Sequence, residues 1–128
     1  MGLKCHAALL TLAAANSEAL VQFYSQLLGH APQTYIPNFY AEFQLTGLRL
    51  GIFRPKETQL EEFASTGQSG MSLCLEVSDL EAAIAHLDAL GFPPAGEILT
   101  ASHGREIYAC DPAGNRLILH QSGEFRVL

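Results

Sequence analysis

Two stretches of this chain break a background of alternating apolar and polar residues with a longer period. Leu20, Phe23, Tyr24 and Leu27 recur at the three- and four-residue spacing of one helical stripe, and Ile84, Leu87 and Leu90 repeat the pattern. Before each stripe stand residues whose side chains can accept a hydrogen bond from a free amide of the first turn, Asn16 or Ser17 and Ser78 or Asp79. Each stripe stops at Leu-Gly, where Gly29 and Gly91 can take the left-handed conformation that ends a helix. Pro32, Pro93 and Pro94 then prevent continuation.

The two patterns belong to an internal repeat. "AAANSEALVQFYSQLLGHAP" (13–32) aligns with "LEVSDLEAAIAHLDALGFPP" (75–94) with one residue of slippage, and "TGLRLGIF" (46–53) with "AGNRLILH" (113–120) without a gap. Each copy reads as strand, helix, then three strands. Module one covers about 4–55 and module two about 70–121, within one domain spanning 1–128. Between them lies a linker, 56–69, with a helical turn expected around Leu60–Phe63. The turn into the last strand is well specified, since Pro112 presets φ and Gly114 tolerates positive φ in "DPAGN".

Strand alternation sorts the remaining side chains onto two faces. Ala8, Leu10, Leu12, Leu48, Leu50, Ile52, Met71, Leu73, Leu75, Val77, Leu117 and Leu119 form an apolar set that should pack under the helices. The opposite parity is mixed, with Ala7, Leu9, Thr11, Arg49, Gly51, Phe53, Ser72, Cys74, Glu76, Arg116, Ile118 and His120. The expected fold is α+β, with two tandem βαβββ modules forming an eight-stranded half-open cup whose mixed face takes a ligand.

Composition narrows the partners. With 48% hydrophobic and 16% charged residues the 128-residue chain can bury a sizeable core. A net charge of −6 leaves no basic surface for phosphates, so a nucleic-acid partner is not expected. No apolar run reaches the roughly 20 residues needed to span a bilayer, and no membrane partner is expected. Lys4 followed by "AALLTLAAA" resembles a short signal peptide, but the segment has an internal counterpart at 75–94 and reads instead as a strand entering a helix cap. Cys5, Cys74 and Cys110 are odd in number and far apart, which fits a reducing, cytoplasmic setting rather than a disulfide framework or structural zinc site.

Tandem βαβββ modules, the "FYSQLLG" helix end and the late "DPAGN" turn resemble the glyoxalase/bleomycin resistance/dioxygenase proteins, the vicinal oxygen chelate superfamily. The resemblance runs from about residue 5 to 121 and is specific for fold. It leaves function open, because the superfamily hosts isomerases, ring-cleaving dioxygenases, thiol transferases and metal-free drug-binding proteins. In its metal-using members one ligand sits on the first strand of each module and one on the last, as histidine, glutamine or glutamate. Those positions carry over to Leu9, Gly51, Ser72 and Ile118, all on the mixed parity. None is a usual ligand: three have no donor side chain, and a neutral serine hydroxyl is a poor one. The resemblance therefore implies a protein with no metal and no cofactor.

Other candidates have structural alternatives. His120 shares its face with Cys74 and Glu76, which suits either a displaced metal site or a cavity-wall histidine paired with Glu76. His103, in "SHGRE", sits on a loop that overhangs the cup in relatives. His6 reads as a sheet-edge or interface residue, and His30 and His86 as solvent and helix residues. Tyr35, Phe39, Tyr40 and Phe43 crowd "TYIPNFYAEF"; core packing accounts for some of them, alternation separates Tyr40 from Phe39 and Phe43, and Tyr35, Phe39 and Tyr40 with Tyr108 are the candidate aromatic walls. Arg49 and Arg116 occupy equivalent positions, as anion binders or as rim partners of Glu42, Glu76 or Glu106. Cys74 with His120 could form a nucleophilic pair, although a mid-strand cysteine is more often a small hydrophobe. No nucleophile elbow, P-loop or dinucleotide-binding glycine pattern occurs.

The resulting expectation is a metal-free, cytoplasmic small-molecule-binding protein, homodimeric like its relatives, that holds an aromatic or hydrophobic ligand. Leu9, Tyr35, Phe39, Tyr40, Arg49, Gly51, Phe53, Ser72, Cys74, Glu76, His103, Tyr108, Arg116, Ile118 and His120 line the expected site, with no catalytic residue assigned. The alternative is a glyoxalase-like lyase or extradiol-type dioxygenase with a displaced metal. A third is a sheet face turned into an interaction surface.

Overall fold

The computed structural model describes residues 2–64 and 69–123. It divides into two compact units, Met1–Ala64 and Ser65–Leu128, and the division falls inside the segment read as the linker. The first unit runs β1 (Leu10–Ala13), α1 (Ser17–Leu28), β2 (Thr34–Ile36), β3 (Tyr40–Leu45) and β4 (Leu48–Phe53). The second runs β5 (Leu73–Glu76), α2 (Leu80–Ala89), β6 (Leu99–Ala101), β7 (Gly104–Cys110) and β8 (Arg116–Ser122). Each builds an open four-stranded sheet of the same connectivity, β1-β4-β3-β2 and β5-β8-β7-β6. The opening strand of each lies parallel to the closing one, and the other pairings are antiparallel. The fold is α+β, two βαβββ modules in tandem.

The caps settle the alternatives left by the sequence. Asn16 Oδ1 accepts from the amide of Ala19 at 3.2 Å, and Asp79 Oδ1 from that of Ala82 at 3.0 Å, so these two residues, not Ser17 and Ser78, cap the helices. At the far end of α2, the amides of Gly91 and Phe92 donate to the carbonyls of Asp88 and Leu87 at 3.0 and 2.9 Å. This double closure requires the positive φ of 92° that Gly91 adopts.

Within each unit the helix lies against the closing strand, α1 on β4 and α2 on β8. Leu20, Val21, Phe23 and Tyr24 of α1 are buried with Ala41, Phe43, Leu50 and Ile52. Leu80 and Leu87 of α2 are buried with Leu73, Ile107, Ala109, Leu117 and Leu119. Burying each such leucine or isoleucine side chain is worth roughly 1.5–3 kcal/mol. The apolar parity thus holds for the paired strands, but not beyond them. Met71 is 67% exposed and Ala8 is exposed, because β5 begins only at Leu73 and β1 at Leu10, which leaves both residues ahead of the pairing.

Polar contacts seat α2. Gln121 Oε1 accepts from the Leu80 amide at 2.7 Å and from Arg105 at 3.2 Å, while Arg105 reaches both Glu81 oxygens at 2.6 and 2.9 Å. The Arg105 hydrogen bonds hold the Glu81 carboxyl down to about 2. After β4, a 3-10 turn spans Glu57–Gln59, and its i to i+3 bonds continue to Ala64, so the helical turn starts earlier than the expected Leu60–Phe63.

Candidate functional site

Register places the mixed-parity side chains of the second unit in rows across three strands. Glu76 pairs with His120, which pairs with Glu106; Cys74 pairs with Ile118, which pairs with Tyr108; Arg116 pairs with Cys110. Residues in register share a face, and this face is the one opposite α2. His120 anchors the first row. Its Nδ1 is hydrogen-bonded to Glu76 Oε1, and the other Glu76 oxygen accepts from Ser122 Oγ at 3.0 Å. The expected pairing of His120 with Glu76 is therefore present. The ring of His103, on the turn before β7, stacks on that of His120 with centroids 5.1 Å apart and an 18° tilt. Gly104 is required between them: a Cβ there would run into the carbonyl of Gln121, and its φ is 141°.

The second row is softer and more open. Tyr108 is 47% exposed beside Ile118 and Cys74. Burial, and then the charges of Glu76 and Glu106, push the Cys74 thiol above its ordinary range. A thiol so placed is a poor nucleophile at neutral pH. Iodoacetamide is expected to alkylate Cys74 several-fold more slowly than a small free thiol at pH 8, and Glu76→Gln to speed the reaction. Peptide mapping by mass spectrometry checks both. Next to Tyr108, a cavity of about 570 Å³ opens against Phe92, Pro93, Cys110 and Arg116.

In the first unit the corresponding face carries Gly51 opposite both Thr11 and Glu42, and Phe53 opposite Tyr40. Tyr40 donates to Glu42 at 2.8 Å, and Arg49 pairs with Glu42 at 3.3 Å, the rim arrangement expected of it. Burial, then the Glu42 carboxylate, raises the Tyr40 phenol, so it stays protonated. The Tyr40 hydroxyl and Leu9 Cδ1 lie 2.9 and 3.3 Å from where a Cβ on residue 51 would stand.

That contact decides whether the superfamily's metal fits here. Residue 51 has no side chain, and the space a ligand would need is filled by a phenol and a leucine methyl. Leu9 and Ile118 offer no donor, and Ser72 Oγ already accepts from the Arg116 guanidinium at 3.1 Å. A cation on the remaining donor is incompatible with a divalent ion there. The four positions do not fit the metal.

Two of the expected site residues make other contacts than those expected of them. Tyr35 pairs with Ala41, so it stands on the helix-packed face, and its hydroxyl donates to Glu18 of α1. The Glu18 carboxylate also accepts from the Asn38 amide at 2.8 Å, and the Tyr35 bond, first, holds it below its ordinary value. Tyr35 is thus a strut between β2 and α1, on a strand of three residues whose phase alternation alone does not fix. Among the described residues Arg116 meets no rim carboxylate. It donates to the carbonyls of Ser69 and Met71 at 2.8 and 3.2 Å, which ties the chain entering β5 to β8. Phe39 is 62% exposed on the turn between β2 and β3. Gly104 and the Ser122–Glu76 bond are not marked by sequence pattern. The only signal for them is a glycine directly after His103, at the start of an alternating strand.

A protein built of two βαβββ modules with this connectivity has the architecture of the glyoxalase/bleomycin resistance/dioxygenase superfamily. Residues 9–120 match the glyoxalase-like domain family, and the chain belongs to it. Among solved structures it is similar to a glyoxalase/bleomycin resistance protein from Catenulispora acidiphila, with 23% identity, a TM-score of 0.67, and coverage of 91% of this chain and 97% of that one. It is also similar to the genomically encoded fosfomycin resistance protein of Listeria monocytogenes, with 15% identity, a TM-score of 0.74, and coverage of 98% and 100%. A lactoylglutathione lyase from Agrobacterium tumefaciens shares 19% identity, with a TM-score of 0.67 and coverage of 93% and 96%. No curated protein matches the chain. At these identities the solved structures show the fold alone.

Proposed function

We propose that this chain is a small-molecule-binding protein of the glyoxalase/bleomycin-resistance type that holds an aromatic or hydrophobic ligand without a metal at the superfamily's four positions. The observation that carries the reading is the filled space over Gly51, where Tyr40 and Leu9 stand in place of a ligand-bearing side chain. The open row of Cys74, Ile118 and Tyr108 supplies the apolar floor, and the phenol of Tyr108 gives an aromatic surface with a polar edge. Neighbouring carboxylates, Glu76 and Glu106, favour a ligand that is neutral or cationic over one that is anionic. A homodimer belongs to the same reading, and sedimentation velocity checks it. No described helix is long and apolar enough to cross a membrane.

A thermal-shift screen of planar aromatic compounds, neutral, cationic and anionic, tests the proposal on chelator-treated protein. Binding of neutral or cationic aromatics is expected, and Tyr108→Ala is expected to weaken it about tenfold, the value of one aromatic contact of roughly 1–1.5 kcal/mol. No binding from a broad aromatic library would overturn the reading. So would glyoxalase turnover on added nickel or zinc that is lost in Ser72→Ala.

A further inference from the structure

The geometry points to a divalent transition-metal site at His103, Glu106 and His120, away from the four superfamily positions. One donor atom from each of these side chains lies within 4.8 Å of the others. Two donors placed 2.0–2.2 Å from one ion are at most about 4.4 Å apart, and about 3.3–3.6 Å apart in tetrahedral geometry. The exposed His103 ring, on a turn, closes that difference by rotating about its side-chain bonds.

His120 is prepared for this role. The Glu76 carboxylate at Nδ1 can only accept, so Nδ1 is the nitrogen that donates, and in the neutral ring Nε2 then keeps its lone pair. Nε2 is buried and, among the described residues, meets no hydrogen-bond partner. A buried acceptor of that kind ordinarily finds a partner. A carboxylate behind one nitrogen and an ion in front of the other is the arrangement that orients metal-bound histidines and raises their basicity. Glu76 is itself held by Ser122, so the orienting group is fixed as well.

The surroundings agree with a cation. Glu106 stands directly opposite His120 on β7, on the same face. Arg105, its neighbour in sequence, lies on the other face in contact with Glu81. At residue 104 a Cβ would come within 3.1 Å of Nε2, and glycine leaves that approach clear. Two imidazoles and one carboxylate select a borderline ion such as Zn²⁺, Co²⁺ or Ni²⁺ over Mg²⁺ or Ca²⁺, and leave coordination positions for water or a ligand atom. This goes beyond the binding reading above, since neither the ligand row nor the filled space over Gly51 depends on it.

Titration of chelator-treated full-length protein with Zn²⁺ and Co²⁺ tests the site. One equivalent is expected to bind, with Co²⁺ giving visible absorption bands and Zn²⁺ shifting the imidazole nitrogen resonances of His103 and His120. Ca²⁺ is expected to do neither. His103→Ala, which removes an exposed turn side chain, and Glu106→Gln should each weaken Zn²⁺ binding at least tenfold. Glu76→Gln should weaken it roughly 10–100-fold by releasing the orientation of His120. The wild-type resonances report on the site even where a variant fails to fold. The proposal is overturned if Zn²⁺ shifts His6, His30 or His86 instead, or if His103→Ala/His120→Ala binds as tightly as the wild type. Failure here leaves aromatic binding by chelator-treated protein untouched, so the two readings are separable.

Discussion

Gly51→Glu, which restores a ligand-type carboxylate to one of the superfamily's metal positions, is expected to destabilise the protein by about 3 kcal/mol and to confer no metal binding. Three effects add in the same direction. The new Cβ comes 2.9 Å from the Tyr40 hydroxyl and 3.3 Å from Leu9 Cδ1, so the phenol must move, and overpacking of this kind costs about 1–3 kcal/mol. Moving the phenol breaks its hydrogen bond to Glu42, worth about 1 kcal/mol. Glu42 also lies directly opposite residue 51 on β3, and like charges in a cross-strand pair repel. Denaturant unfolding measures the sum. Tyr40→Ala in the Gly51→Glu background should recover the packing part and leave the charge repulsion. A Gly51→Glu variant as stable as the wild type would show that the space over residue 51 is free, and the reading of the four positions would fail with it.

Much of this site is legible in the order of residues along the chain, and the parts that are not share a cause. Repetition of 13–32 in 75–94 places the modules, and counting from the helix caps and from Gly114 brings Leu9, Gly51, Ser72 and Ile118 onto the ligand positions. These are local inferences, since period and turn chemistry depend on neighbours in the chain. The phase of a short strand is not local in this sense. β2 has three residues, too few for alternation to declare a face, and only its pairing with β3 puts Tyr35 on the helix side. Met71 continues the apolar parity of β5, yet lies before the pairing starts. Arg116, expected to meet a carboxylate, instead meets carbonyls at residues 69 and 71, partners that any sequence carries and no side-chain pattern marks. The same holds for Tyr40 over Gly51: an absent side chain is visible in the sequence, but what fills its space is a tertiary fact. His120 is legible as a member of its face and as a partner of Glu76. That its other nitrogen is buried and meets no hydrogen-bond partner among the described residues follows only from the packing of His103 and Gly104 around it.

Asp111→Ala is expected to lower stability by about 3 kcal/mol, although residue 111 lies in a turn, at the edge of the cavity beside Tyr108. The Asp111 side chain is 3% exposed and acts as the internal frame of the "DPAGN" turn. Oδ1 accepts from the amides of Ala113 and Asn115 at 2.9 and 3.0 Å, and Oδ2 from Asn115 Nδ2 at 2.8 Å. The backbone closes around the same residue, with its amide donating to Asn115 and its carbonyl accepting from Gly114. Hydrogen bonds to a charged acceptor are each worth about 1.5–3 kcal/mol, and alanine strands three donors at once. Water reaches the half-buried Asn115 and recovers part of that loss, which keeps the expected figure near 3. Asp111→Asn separates charge from geometry: one amide oxygen can still serve the two backbone donors, but its NH₂ would face the NH₂ of Asn115. Adding Asn115→Asp supplies an acceptor for that NH₂ and should recover at least half of the loss. Hydrogen exchange at residues 113 and 115 gives the local readout, since both amides should lose protection in Asp111→Ala and regain it in the exchanged pair. The effect reaches function through β8, which this turn aligns with β7. A loosened turn lets Arg116 and Ile118 slip against Cys110 and Tyr108, and with them His120 against Glu106. Asp111→Ala protein should therefore bind aromatic ligands and Zn²⁺ more weakly even at temperatures where it remains folded. Unchanged binding in that variant would mean that the strands, not the turn, set the register of the site.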